Sequence, residues 1–210
     1  CQKKAGTKQV LFVLTADHGV APIPEEMQKE GFSLARRIIA KPLIKAMNKR
    51  IKDSYGIAKI IKGFKANQFF LNNTNIPAQQ KENVLHDLKN HLQMQPGIKK
   101  VWTRNELSHS YFRSDEIEIF YKNQYNQSRT GDLICMTYPY CFISKHDNGT
   151  CHRSPYDYDT HVPLMFYRQG VLKPQKIHPN VWMPQLVPTL AKLLNIPKPA
   201  SARYRELPGI

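Results

Sequence analysis

Asp17 and His18 stand side by side at the end of an apolar run, VLFVLTADHGVAP over residues 10–22, and His161 stands where a polar loop meets a second apolar run, DTHVPLMFY. A carboxylate and a neutral imidazole are both ligands for zinc and related divalent ions. In open α/β sheets, functional groups gather beyond the carboxyl ends of the strands. The run through Thr15 delivers Asp17 and His18 to such a place. An aspartate capping a turn beside an ordinary histidine has the same signature, and the dipeptide alone leaves both readings open. His161 is ambiguous in the same way. Asp157, Asp159 and Thr160 precede it and would orient its ring by hydrogen bonds if it were a ligand, but a lone histidine at a loop–strand joint also serves structure alone.

These residues need elements to hold them. QVLFVLT (9–15) is continuously apolar, as a strand covered on both faces would be, and Gly19 allows the chain to turn behind it. From Phe32 to about Lys52 the apolar residues Leu34, Ile38, Leu43, Met47 and Ile51 recur at helical spacing, with Pro42 expected either to break this into two helices or to start the second one. Two strands are expected at Ile57–Lys62 and Gln68–Asn72, with Gly63 near the bend between them. Pro77 opens a helix to about Met94 that carries Val84, Leu85, Leu88 and Leu92 on one face, and Lys99–Thr103 follows as a strand. Asp132–Ser144 and His161–Tyr167 read as further strands, and Val181–Leu194 ends in a helix with Leu190, Leu193 and Leu194.

The expected fold class is therefore α/β, with a mostly parallel sheet as its core. Residues 1–29 and 109–210 are expected to form that core, with residues 30–108 as a small α+β unit inserted between its two parts. The chain has 210 residues, enough for a sizeable core, and 41% hydrophobic against 22% charged residues excludes an intrinsically disordered composition. No run approaches the ~18 apolar residues of a membrane span, and no signal peptide is visible. The first residue is Cys1 rather than Met, so further sequence upstream is expected.

Lys plus Arg number 31 against 16 Asp plus Glu, a net charge of +15, which favours anionic partners. The lysines are spread along the chain, as on a solvated basic face. The cysteines, Cys1, Cys135, Cys141 and Cys151, contain no C-x-x-C pair, which argues against a zinc ribbon or a thioredoxin-type motif. Their number does not fix the compartment.

Four tracts occur in order: TADHGVAPIPE, RTGDLICMTYPYCF, SPYDYDTHVPLMFY and VPTLAKLLNIPKPA. Tract by tract they resemble the C-terminal half of the alkaline phosphatase superfamily, nearest its type I phosphodiesterase/nucleotide pyrophosphatase-like bacterial phosphatases. The resemblance covers nearly the whole chain and is weakest between about 30 and 108. It implies a sheet core of the alkaline phosphatase type with a cap-like insertion, and a phosphohydrolase holding two zinc ions. Asp17 and His18 would bind one ion and His161 the other. The substrate would be a phosphate ester, handled without specific nucleic-acid recognition, and the location periplasmic or secreted.

The sequence departs from that pattern in His152-Arg153-Ser154-Pro155, where the family usually carries Gly after the His and this chain has Arg153. The Thr or Ser nucleophile of the family, together with further metal ligands, lies ahead of the DHG tract and outside this chain. The expectation is a covalent phospho-enzyme mechanism in the intact protein and an inactive chain in isolation. A reading of another class is a basic binding module, or a degenerate family member, that holds nucleic acid or another polyanion with Tyr111, Phe112, Tyr121 and Tyr125 as stacking faces.

Overall fold

The computed structural model describes residue 6 and residues 10–210. Cys1 and Gln9, which entered the sequence reading, lie outside the described residues. By contacts the chain divides into two compact units. One holds the residues up to Val13 and Met165–Ile210, and the other holds Leu14–Leu164.

The larger unit is built around a four-stranded antiparallel sheet in the order β3 (Ile61–Lys65), β4 (Gln68–Leu71), β6 (Leu133–Thr137), β5 (Ile98–Thr103). All five residues of β6 are buried. Side chains alternate across a strand, and both faces of β6 are used. Leu133 and Cys135 join the cluster made with helices α2 (Ala40–Tyr55) and α3 (Lys81–Gln93), whose Met47, Ile51, Val84, Leu88 and Leu92 are fully buried. Ile134 and Met136 face the opposite cluster, with Trp102, Leu107 and Tyr121. Leu107 belongs to α4 (Arg104–His109) and Tyr121 to α5 (Ile119–Asn123). α4 opens on a capping box: the Thr103 hydroxyl accepts the Glu106 N–H at 3.1 Å, and the Glu106 carboxylate accepts the Thr103 N–H at 2.8 Å.

The second cluster absorbs most of the aromatic residues that could have formed a stacking face. Tyr121 is buried, Phe112 and Tyr125 pack against it, and Tyr111 alone of the four stands in solvent at 92% exposure.

A parallel pair, β2 (Arg36–Ile39) and β7 (Cys141–Ser144), completes the strands that bear on the site. β2 differs from the sequence expectation, which ran a helix through these residues. Arg36–Ile39 instead finds a strand partner about a hundred residues away, and the helix begins only at Ala40. Pro42 then falls in the first turn of α2, where a missing N–H costs nothing, so of the two expectations it stands at the start of a helix rather than breaking one. Gly63 likewise lies within β3 rather than at a bend. The hairpin turns at Ala66 and Asn67, both with positive φ (52° and 59°), the backbone of a two-residue primed turn.

β1 (Phe12–Thr15) pairs with β8 (Leu164–Tyr167) in a two-stranded sheet. The sequence suggested that β1 is covered on both faces, but Phe12 is 44% and Leu14 58% exposed. The reason is that β1 has a single strand neighbour among the described residues, and Met165 and Tyr167 of that neighbour are also exposed.

In the smaller unit, α7 (Leu186–Leu194) buries Thr189 and Ala191 and ends at Asn195 in the left-handed conformation. The Thr189 hydroxyl donates to the Gln185 carbonyl and accepts the Leu207 N–H, which ties the C-terminal segment to this helix. No helix among the described residues is long and apolar enough to cross a membrane.

Candidate metal centre

Past Thr15 the chain leaves β1 and presents Asp17 and His18 in irregular backbone. The Asp17 carboxylate is 90% exposed and its Oδ2 lies 3.6 Å from His18 Nε2. The other ring nitrogen of His18, Nδ1, lies 2.6 Å from the Gly19 carbonyl oxygen and donates to it as N–H. That hydrogen bond commits Nδ1, so Nε2 is the ring nitrogen left to meet a metal. Two ligand atoms at about 2.0–2.1 Å from one tetrahedral zinc lie roughly 3.4 Å apart. The observed 3.6 Å between carboxylate oxygen and imidazole nitrogen is close to that spacing, so the pair fits one ion as two of its ligands. Among the described residues, no group of three or more His, Cys, Asp or Glu is arranged to hold an ion.

Two segments of the 148–161 stretch pack against the turn that carries this pair. The first is a β-like contact. The Ala21 N–H donates to the Cys151 carbonyl at 2.9 Å, and the Thr150 hydroxyl donates to the Ala21 carbonyl. One residue on, His152 lies flat over His18, with ring centroids 3.6 Å apart and planes 3° from parallel. The second is a close backbone approach. The Gly19 N–H donates to the Asp159 carbonyl at 2.8 Å, and a β-carbon on Gly19 would come within 2.0 Å of the Tyr158 carbonyl oxygen. Only glycine fits there.

Asp159 holds both segments. Its backbone carbonyl binds Gly19, and its Oδ2 accepts the Ser154 N–H at 2.7 Å. The residue is buried, and Oδ1 has no partner. Between these anchors the chain passes through Arg153 at φ 100°, a backbone that side chains disfavour and glycine accepts. Cys151 lies beside His152, but burial pushes its thiol up. The thiol donates to the His152 carbonyl at 3.0 Å.

The structure thus brings Asp17, His18 and His152 together. His161 caps the C-terminus of the short helix α6 (Asp157–Thr160), two residues beyond Asp159, and its N–H donates to the Asp157 carbonyl at 2.8 Å. The residue is exposed, and its ring has no hydrogen bond, ion pair or ring contact among the described residues. The residue reading gave His152 no role, because nothing local marks it. It lies in a loop, and its partner is far away in sequence. The only signal was the departure at the next residue, Arg153.

Comparison with known proteins gives a consistent picture. Residues 2–162 match the family of type I phosphodiesterases / nucleotide pyrophosphatases. Over 201 residues the chain is 28% identical to alkaline phosphatase PhoD of Zymomonas mobilis, covering 89% of this chain and 34% of that protein. It is 30% identical over 201 residues to a protein of Myroides odoratus named calcium-transporting ATPase, covering 92% and 35%. The crystal structure of wild-type alkaline phosphatase PafA superposes with a TM-score of 0.82 at 25% identity, over 98% of this chain and 39% of that one. The chain spans about a third of the length of the curated relatives it matches. The fold is accordingly α/β of the alkaline phosphatase type, with mixed sheets.

Proposed function

Because the chain belongs to the type I phosphodiesterase / nucleotide pyrophosphatase family, we propose that it carries part of the metal centre of a phosphohydrolase acting on phosphate esters. The observation that supports this most directly is the 3.6 Å approach of Asp17 Oδ2 to His18 Nε2, with Nδ1 already committed to the Gly19 carbonyl. Asp17 and His18 hold one ion in this reading, with zinc as the metal suited to a carboxylate–imidazole pair.

For a second ion the sequence pointed to His161. His152 is the better placed of the two in this reading, because it stacks on His18 and so brings a second imidazole beside the Asp17–His18 pair. When bound, the ions would lower the pKa of an attacking hydroxyl and neutralise charge on the phosphoryl group. The residues of this chain hold and orient. Gly19 fixes the His18 tautomer through its carbonyl, and Asp159 keeps the loop after His152 in place through the Ser154 N–H. The Thr or Ser nucleophile and the remaining ligands come from outside this chain. In this reading the chain alone is inactive, and the intact protein works in the periplasm or outside the cell.

Zinc titration against a competing chromophoric chelator, together with p-nitrophenyl phosphate hydrolysis, tests the reading. Asp17→Asn and His18→Ala are expected to weaken zinc binding at least tenfold. His152→Ala should lower affinity or stoichiometry, and His161→Ala should leave both unchanged. Zinc binding that is indifferent to Asp17 and His18 would remove the metal reading. Robust hydrolysis by the 210-residue chain alone would remove the shared-site reading.

A further inference from the structure

Arg37 lies on β2 directly opposite Phe142 of β7, and its guanidinium sits 4.9 Å over that ring. The side chain is only 4% exposed. A charge held away from water must find partners, and this one finds three. Nε and Nη2 donate to the two carboxylate oxygens of Glu25 at 2.8 Å each. This is the two-pronged pairing that a planar guanidinium makes and an ammonium does not. Nη1 donates to the Asn148 carbonyl at 3.1 Å, and Nη2 also donates to the Gly149 carbonyl at 2.7 Å.

Those two carbonyls belong to the loop that leaves β7, and the residues that follow are fixed in turn. Thr150 donates its hydroxyl to the Ala21 carbonyl, Cys151 accepts the Ala21 N–H, and His152 then lies on His18. From Asn148 to Cys151 each residue has one hydrogen bond to a fixed part of the fold. Arg37 supplies the first two of these.

We propose that Arg37 is a positioning residue of the candidate metal centre: by gripping the Asn148 and Gly149 carbonyls it sets the loop that lays His152 over His18. Glu25 is its outer brace. The inference rests on the reading of His18 and His152 as metal ligands, and it assigns the spacing of the two imidazoles to a side chain on another strand.

The test uses the full chain and the variants Arg37→Gln, Arg37→Lys and Glu25→Gln. Two imidazoles stacked face to face shift each other's ring-proton resonances upfield, so the His18 and His152 signals report the stack without any metal. His86 and His109, on other helices, serve as internal controls. In Arg37→Gln and Arg37→Lys the upfield shifts should collapse while the control signals hold, and zinc affinity should fall by 10- to 100-fold, as for other residues that orient ligands. Glu25→Gln should give the same effects in weaker form. Its side chain is 48% exposed, so this variant keeps the question answerable if the arginine variants do not fold. Retention of both the ring shifts and the zinc affinity in the folded variants overturns the proposal. If the wild-type chain binds no zinc, the metal reading fails, and the ring shifts still decide whether Arg37 sets the stack.

Discussion

Gly19 and Tyr158 meet backbone to backbone, so closely that a β-carbon on Gly19 would stand 2.0 Å from the Tyr158 carbonyl oxygen. This approach joins the turn carrying Asp17 and His18 to the tract carrying Asp159 and His161. The substitution Gly19→Ala should therefore force the two segments apart and break the Gly19–Asp159 hydrogen bond. A loss of about 2 kcal/mol is expected from overpacking of this kind, read by urea unfolding. Gly63→Ala is the control, because a β-carbon there meets nothing within 4 Å. Equal stability of the two variants would show that the approach is looser than described.

Arg153 holds φ at 100°, where a side chain is strained. Replacing it with glycine should raise stability by about 1 kcal/mol, since strain of roughly 1–3 kcal/mol is relieved against the extra chain entropy of glycine. Arg153→Ala keeps a β-carbon and should give no such gain. A gain from alanine equal to that from glycine would mean that the arginine side chain, not the backbone, was the cost.

Glu106 closes the capping box of α4 and also takes a hydrogen bond from Lys89 at 2.5 Å. Burial opposes its charge, but the hydrogen bonds from Lys89 and Thr103 outweigh this and hold its carboxyl below the ordinary glutamate value of 4.5. A depressed folded-state pKa contributes stability that is complete above the unfolded value and is lost as the pH falls through the folded one. Unfolding free energy should therefore decline below about pH 4.5, and Glu106→Gln should flatten that part of the profile. Thr103→Ala, which removes the reciprocal half of the cap, should cost about 1 kcal/mol at neutral pH. A wild-type profile identical to that of Glu106→Gln would refute the assignment.

Phe69 is fully buried on β4, in the cluster that α2 and α3 close. Phe69→Ala should cost about 3–5 kcal/mol. Met94, just beyond the end of α3 at 81% exposure, should tolerate alanine within about 0.5 kcal/mol. Thermal or denaturant unfolding separates the two, and similar losses at both positions would contradict the packing described.

Some of this was legible in the residues. The periods of Leu43–Met47–Ile51 and Val84–Leu88–Leu92 record which face of α2 and of α3 is buried, because a helix repeats its contacts every three or four residues. Asp17 and His18 were legible as a candidate pair because they are adjacent and follow a strand, so local geometry alone brings their polar atoms within 3.6 Å. Arg36–Ile39 was not legible as a strand, since four residues with two arginines carry no period of their own, and only the pairing with β7 makes them one. The burial of β6 on both faces was also beyond local reading, because it depends on helices well ahead of it in sequence. The same holds at the site. Sequence adjacency chose Asp17 and His18, but the imidazole that joins them is His152, brought there by Ala21, Arg37 and Asp159 through hydrogen bonds to backbone atoms. Backbone groups are alike at every residue, so contacts of that kind leave no mark in the amino-acid sequence, and they exist only once the chain has folded.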